Sequence, residues 1–263
     1  MAWLEDSKDD STPLTISEET VQQFIYTLGK KMNPRSQSRI ISGLKGLFSY
    51  LIFEGYRETN PLELIESPKI GRKLPDTLSL KEIDTLIGAI DLSSPQGERN
   101  RAMLETLYAC GLRVSELISL KISDLFFEEG FLKITGKGDK QRLVPIGPST
   151  IHYIETYRKQ IRAHQQPKPE AQDTLFLNRR GDGLTRAMVF TIVKQLAAQI
   201  GLKKSISPHT FRHSFATHLL ERGADLRAIQ QMMCHENTTT TEIYTHIETS
   251  HLSRVIAQFH PRN

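Results

Sequence analysis

Residues 67–76, SPKIGRKLPD, hold two prolines, one glycine and three bases and show no apolar periodicity. Proline lacks the backbone donor that helix and sheet both need, and glycine loosens the chain, so such a run reads as a connector. It obliges the 263 residues to fold around two cores rather than one, and the length suits two domains of ~100–200 residues or less each. The organisation expected is residues 1–66, a linker at 67–76, and residues 77–263.

Ahead of the connector the apolar spacing is helical. Ser17 can cap a helix running to about Lys30, with Val21, Phe24, Ile25 and Leu28 at offsets 0, 3, 4 and 7. Asn33-Pro34 breaks it. A second helix over about residues 36–54 places Ile40, Leu44, Leu47, Phe48 and Leu51 on its buried side, and Arg35, Arg39 and Lys45 elsewhere. Gly55 closes that helix, and Asn60-Pro61 is expected to start a short third one through Leu64.

Beyond the connector, Ser79-Leu80-Lys81-Glu82 has the form of a capping box. Helical patterns continue over 99–109 and 114–120. The middle then changes character: LFF, FLKIT and RLVPI are short β-prone runs separated by Glu128-Glu129-Gly130 and by Gly136-Lys137-Gly138-Asp139. Both separators are turn chemistry, so a small antiparallel meander is expected. Helices resume over about 148–162, LFLN reads as a lone strand, and further helices follow near 186–200, 208–221, 225–233 and 238–246. The tail sets Leu252, Val255, Ile256 and Phe259 at offsets 0, 3, 4 and 7. The fold class is therefore mainly α with a small antiparallel β-sheet.

Charge narrows the partner. The formal charge is +4, but residues 1–20 carry six acids against one base, leaving +9 for the rest. Between Lys30 and Phe53 there are five bases (Lys30, Lys31, Arg35, Arg39, Lys45) and no acid. Uneven positive charge suits a polyanion. The two cysteines, Cys110 and Cys234, form no CxxC or Cys/His ligand pattern, which disfavours a disulfide scaffold or a structural zinc site. No apolar run approaches the ~20 residues of a membrane span, and the start lacks a signal-peptide pattern. A reduced cytoplasmic setting follows, with no membrane partner.

One set of residues stands out by type: Arg113, Lys137, His209, Arg212, His235 and Tyr244, at gaps of 24, 72, 3, 23 and 9 residues. Each alone has an ordinary explanation. Arg113 stands three positions before Glu116, the spacing of a local ion pair; Gly136-Lys137-Gly138 is a turn and not a Walker loop; His209 and Arg212 share a helix face at i, i+3. Together they fit phosphoryl transfer at a diester. Charge builds on the non-bridging oxygens in the transition state, and preorganised cations there lower the barrier. Arginine offers a permanently charged fork, and histidine donates or moves protons near neutral pH. A lysine on a hairpin can protonate a departing oxygen. A tyrosine, with an ordinary pKa near ~10, needs activation before it attacks.

The segments GLRVSELISL, TGKGDKQRLVPIG and SPHTFRHSFATHLLERGADLRAIQQMM, followed by His235 and then Tyr244-Thr245-His246, resemble the tyrosine recombinase catalytic domain, and within it the bacterial Xer-type recombinases. The likeness runs from about Leu14 to the His260-Pro261-Arg262 near the end. It implies that Arg113 and Arg212 grip a scissile phosphate, that His209 and His235 complete the shell, that Lys137 is the general acid, and that Tyr244 is the nucleophile. The product would be a 3′-phosphotyrosyl link and a 5′-hydroxyl, with neither metal nor nucleotide cofactor. Glu116 would support Arg113. Two departures from the family pattern stand out. Met233-Cys234-His235 replaces the usual Leu-Gly-His, and the chain starts where the first helix of the N-terminal domain normally ends, Met1-Ala2-Trp3-Leu4 resembling that helix's tail.

The architecture so implied is a two-domain clamp on double-stranded DNA. A helical core-binding domain would lie across one face, with Arg35, Arg39 and Lys45 among its DNA contacts, and the catalytic domain would lie across the other. Phosphate contacts would dominate such binding. The expected role is resolution of chromosome dimers, in a DNA-bound tetramer with a second recombinase protomer or paralogue and under a septal DNA translocase. The apolar tail would either pack as a terminal helix on its own domain or, as the resemblance implies, be donated to the neighbouring protomer. Three alternatives stand beside it: an integrase of a mobile element, a monomeric type IB topoisomerase, and a DNA-binding protein that no longer cuts.

Overall fold

The computed structural model describes residues 11–68, 76–233 and 246–262, the side chains of residues 137 and 246–250 excepted. The chain forms two compact units that divide between Leu74 and Pro75.

In the smaller unit, α1 (Glu18–Lys31) starts at Ser17, whose Oγ accepts the Thr20 N–H at 3.1 Å. Acids in its first turn and Lys30 and Lys31 in its last both oppose the helix dipole favourably. The helix α2 (Pro34–Phe53) opens on Asn33, whose Oδ1 accepts the Ser36 N–H at 2.9 Å, with proline at the first helical position, where no donor is missed. Ile16, Val21, Ile25, Ile41, Phe48, Leu51 and Leu62 make the core, with Leu44 against it. The buried stripe of α2 is thus Ile41, Leu44, Phe48 and Leu51. Leu47, expected inward, is 42% exposed. This helix has apolar residues around more than half its girth, and packing against one neighbour can bury only one side.

The expected third helix at 60–64 is a run of turns instead. Asn60 Oδ1 takes the Leu62 N–H at 3.0 Å, and the Glu63 and Ile65 N–H groups bond three residues back, to Asn60 O and Leu62 O. The asparagine side chain competes with the helical ladder and no i→i+4 bond is established.

In the larger unit, α3 (Leu80–Gly88) begins with the capping box, Ser79 N–H to Glu82 Oε2 at 2.7 Å and Glu82 N–H to Ser79 Oγ at 3.3 Å. Then follow α4 (Gly97–Ala109) and the short α5 (Val114–Ile118). The meander is β1 (Leu125–Phe126), β2 (Phe131–Thr135) and β3 (Gln141–Pro145), antiparallel in that order, with Leu132 opposite Val144 and Ile134 opposite Arg142. After it come α6 (Pro148–Gln160), α7 (Arg186–Gln199), α8 (Pro208–Glu221), α9 (Leu226–Met233) and α10 (His246–Phe259). The helix expected near 238–246 falls almost wholly outside the described residues.

Tyr108, Tyr157, Phe176, Phe211 and Phe215 are fully buried at the centre. LFLN is no strand: Leu175, Phe176 and Leu177 are buried, but Leu177 pairs only through a single bridge to Gly183, and its N–H donates to Tyr157 Oη at 3.1 Å. A side chain supplies the acceptor that a strand neighbour would have given.

The tail takes the first of its two expected arrangements here: Leu252, Val255 and Ile256 of α10 are buried in the core of their own unit and Phe259 packs against it. Among the described residues no helix is long and apolar enough to cross a membrane.

Candidate active site

The site begins at the turn that ends α4. Gly111 has φ +56°, and a Cβ there would stand 2.4 Å from Phe215 Cδ1, so the position needs glycine on two counts. The reversal makes Arg113 the N-cap of α5. Glu116, three residues on, reaches back to accept the Arg113 backbone N–H at 2.8 Å and Arg113 Nη1 at 3.1 Å. The ordinary ion-pair reading of Arg113 is therefore realised, while its side chain keeps 37% exposure. Gly111→Ala should destabilise the larger unit by about 2–6 kcal/mol, summing backbone strain and overpacking. Equal denaturant midpoints for variant and parent would refute the account.

Arg212 arrives from α8. Its guanidinium donates Nη1 to Gly111 O and Nη2 to Met233 O, and Nη1 stands 3.8 Å from Glu116 Oε2. It therefore spans from the Gly111 turn to the end of α9. His209, one turn earlier on α8, is exposed.

Glu116 is the hub. Its carboxylate is buried and also takes a two-pronged bond from Arg142, Nη1 to Oε1 at 2.8 Å and Nη2 to Oε2 at 2.9 Å. Burial by itself would push this carboxyl up. The hydrogen bonds and charge of Arg142, then the Arg113 N–H and the charge of Arg212, outweigh burial and hold it below the usual carboxylate range. Glu116 is thus charged at neutral pH and ties three arginines together.

Sequence reasoning passed over Arg142 because RLVPI reads as an apolar strand. A signal was available. Strand period places Arg142 on the same face as buried Val144, and a buried guanidinium requires a partner.

The hairpin carrying Lys137 stands beside this hub. The Gly136 N–H donates to Lys140 O at 2.8 Å, closing the loop, and a Cβ at Gly136 would lie 3.8 Å from Glu116 Oε1. Lys137 opens the 3-10 turn at the tip (Lys137–Asp139), with Gly138 and Asp139 both at positive φ. The Lys137 side chain, His235 and Tyr244 lie outside what the structure describes, as does the Cys234 departure. The described geometry therefore unites Arg113, Glu116 and Arg212, places His209 one turn away on α8, and sets the backbone of the Lys137 hairpin against the same carboxylate. Arg35, Arg39 and Lys45 belong to α2 of the smaller unit. The first two are exposed and the third is half-buried. At about 100° per residue Arg35 and Arg39 lie on the side of α2 opposite its buried stripe, and Lys45 lies on the flank. Among the described residues no three His, Cys, Asp or Glu side chains come together as metal ligands.

Comparison with known proteins gives the family. The phage integrase family profile matches residues 76–251. The tyrosine recombinase XerD of Listeria innocua is 41% identical over 263 residues, covering 100% of this chain and 89% of that protein. The tyrosine recombinase XerD of Staphylococcus saprophyticus is 43% identical over 248 residues, covering 94% of this chain and 84% of its own length. Among solved structures, the XerH site-specific recombinase bound to its difH substrate in a pre-cleavage complex superposes with TM-score 0.70 at 26% identity, over 94% of this chain and 68% of that one. The chain belongs to the phage integrase family, among its tyrosine recombinases of the XerD group.

Proposed function

We propose that the enzyme performs site-specific DNA strand exchange with Tyr244 as nucleophile, in the service of chromosome-dimer resolution. The Tyr244 hydroxyl gives its proton to a histidine of the site as its oxygen bonds to phosphorus at the scissile diester, and the bond from phosphorus to the 5′-oxygen breaks. Lys137 gives that oxygen its proton. A 3′-phosphotyrosyl ester remains, and reversal of the same steps by another strand's 5′-hydroxyl rejoins the DNA. Arg113 and Arg212 hold the non-bridging oxygens, His209 and His235 complete the shell, and Glu116 supports the arginines. Because bond energy stays in the ester, the cycle needs no nucleotide.

The observation that carries this reading is the convergence of Arg113 and Arg212, from different helices, on the single carboxylate of Glu116, beside the base of the Lys137 hairpin. A pair of guanidiniums so gathered matches the two non-bridging oxygens of one phosphate. Residues 1–66 serve as the helical core-binding domain and 77–263 as the catalytic domain, together clamping double-stranded DNA. Arg35, Arg39 and Lys45 lie on the duplex-facing side of the smaller domain. Two protomers occupy one recombination site, and two sites pair into a tetramer, the second recombinase being a copy or a paralogue.

A bridging 5′-phosphorothiolate tests the chemistry. Sulfur leaves without a proton, so Lys137→Ala should cleave this substrate at nearly the parent rate, yet lose roughly 10²–10⁴-fold on ordinary DNA, the range expected for a general acid. The parent itself should accumulate covalent adduct on the sulfur substrate. No adduct from the parent would overturn the proposed polarity of cleavage; equal loss on both substrates would remove Lys137 from the general-acid role.

A further inference from the structure

We infer that Arg142 is a positioning residue for strand cleavage, holding the two phosphate-binding arginines and the approach to His235 in register. The inference rests on the reading that Arg113 and Arg212 bind the scissile phosphate.

Three contacts define it. Arg142 is 3% exposed and has no path to substrate of its own. Two of its nitrogens occupy both oxygens of Glu116, and its third, Nε, donates to Met232 O at 2.9 Å. Arg212 Nη2 donates to the next carbonyl, Met233 O. Two buried guanidiniums, one from β3 and one from α8, thus pin consecutive carbonyls at the end of α9. The residues that follow directly are Cys234 and His235. The last carbonyls of a helix have no partner within the helix, and here arginines supply them.

The charge arrangement gives the second half of the argument. Glu116 is anionic and lies against Arg113 and Arg212. Left alone, it would draw both guanidiniums onto itself and cancel the field that a phosphate requires. Arg142 takes up both of its oxygens from behind with a matched fork, so the cluster of three guanidiniums and one carboxylate keeps a net positive charge while the Arg113 side chain stays 37% exposed. A buried carboxylate stripped of such a partner is unstable and recruits whichever cation is nearest. The third contact matters equally. Arg142 joins β3, at the base of the Lys137 hairpin, to the end of α9, two residues before His235 in the sequence.

The conservative variant Arg142→Lys provides the test. A lysine can neutralise Glu116, but a single ammonium cannot satisfy both carboxylate oxygens and Met232 O in one plane. Single-site DNA affinity should remain near the parent's, and the fold should survive with a lowered thermal midpoint, because a buried hydrogen bond is lost. Cleavage of a nicked substrate should slow by roughly tenfold, and by on the order of 100-fold in Arg142→Met, as for a small misplacement of catalytic groups. The readout that separates positioning from mere folding is a methylphosphonate at the scissile position. With one non-bridging oxygen replaced by methyl, the anionic charge that Arg113 and Arg212 neutralise is gone, so the Arg142→Lys deficit should shrink toward the parent. Arg212→Ala is measured on the same two substrates. If the Arg212→Ala deficit shrinks and the Arg142→Lys deficit does not, or if Arg142→Lys cleaves ordinary DNA at the parent rate, the inference about Arg142 is overturned. If neither deficit shrinks, the assignment of Arg113 and Arg212 to the phosphate is what fails.

Discussion

Tyr244→Phe should bind DNA as the parent does and form no covalent complex at all. The change removes one oxygen and keeps the ring, so packing and charge are preserved while the atom that bonds to phosphorus is lost. The other phenols are placed or engaged differently. The chain has seven tyrosines. Tyr26, Tyr50 and Tyr56 belong to the smaller unit. Tyr108 and Tyr157 are fully buried, and burial pushes both phenols up, away from the ionised form. Each of these two is also engaged, Tyr108 Oη with His218 Nδ1 at 2.8 Å and Tyr157 Oη as acceptor from Leu177 N–H. Tyr153 lies under the Arg101 guanidinium at 4.7 Å from its ring centroid. The measurement is a nicked suicide substrate, whose cut strand diffuses away and traps the adduct, resolved on a denaturing gel. A band of linked protein and DNA in Tyr244→Phe would sink the assignment and make Tyr153 the next residue to examine.

Candidate reactive residues could be named before any coordinates because the chemistry they would serve is demanding. Two arginines, two histidines, a hairpin lysine and a tyrosine in one order have few other uses. The helices were legible where caps were written into the chain, at Ser17 and Ser79, since those side chains satisfy donors that the helix leaves unpaired; the Asn33 cap was read only as a break. Illegible features were those decided by three-dimensional neighbours. Leu47 and Ile41 are equally apolar, and only the position of α1 selects which is buried. The buried run at 175–177 is apolar like a strand, yet its bonds go to scattered partners, Leu120 O, Leu184 N–H and the Tyr157 hydroxyl, and not to one neighbouring strand. Arg142 was overlooked for the opposite reason: its strand looked apolar enough that a charge within it passed as solvent-facing. The hub at Glu116 joins residues 113, 142 and 212, and only the fold brings such separations together.

Removing residues 249–263 should unfold the catalytic unit rather than merely weaken assembly between protomers. The deletion strips Leu252, Val255 and Ile256 from the core, where they are 1%, 5% and 4% exposed. At ~1.5–3 kcal/mol for each fully buried aliphatic side chain, roughly 5–9 kcal/mol is lost, comparable with the whole stability of a domain, about 5–15 kcal/mol. A polar seam goes with them. Arg262 Nη2 bonds Asp84 Oδ1 at 2.7 Å, and its Nε stands 3.1 Å from Glu105 Oε2, a charge contact out of line for a hydrogen bond, in a carboxylate that is 3% exposed. His260 packs between Tyr108 and Phe215, and its Nδ1 accepts the Arg262 N–H at 3.1 Å. Burial, with the nearby charges of His218, Arg262 and Arg222, lowers its pKa from 6.5 to about 3. Between those values the unfolded chain binds a proton that the folded chain refuses, so stability rises with pH across that window and falls on acidification. His218 is shifted in the same direction, while Glu105, pushed up by burial, tilts the other way above its ordinary pKa. The parent should therefore melt progressively lower as pH drops below 6.5, and His260→Phe should flatten that slope. Calorimetry on parent, truncation and His260→Phe decides the matter. A truncated chain that melts with the parent would show that the cis packing of α10 contributes little, and would restore a tail free to reach a neighbour.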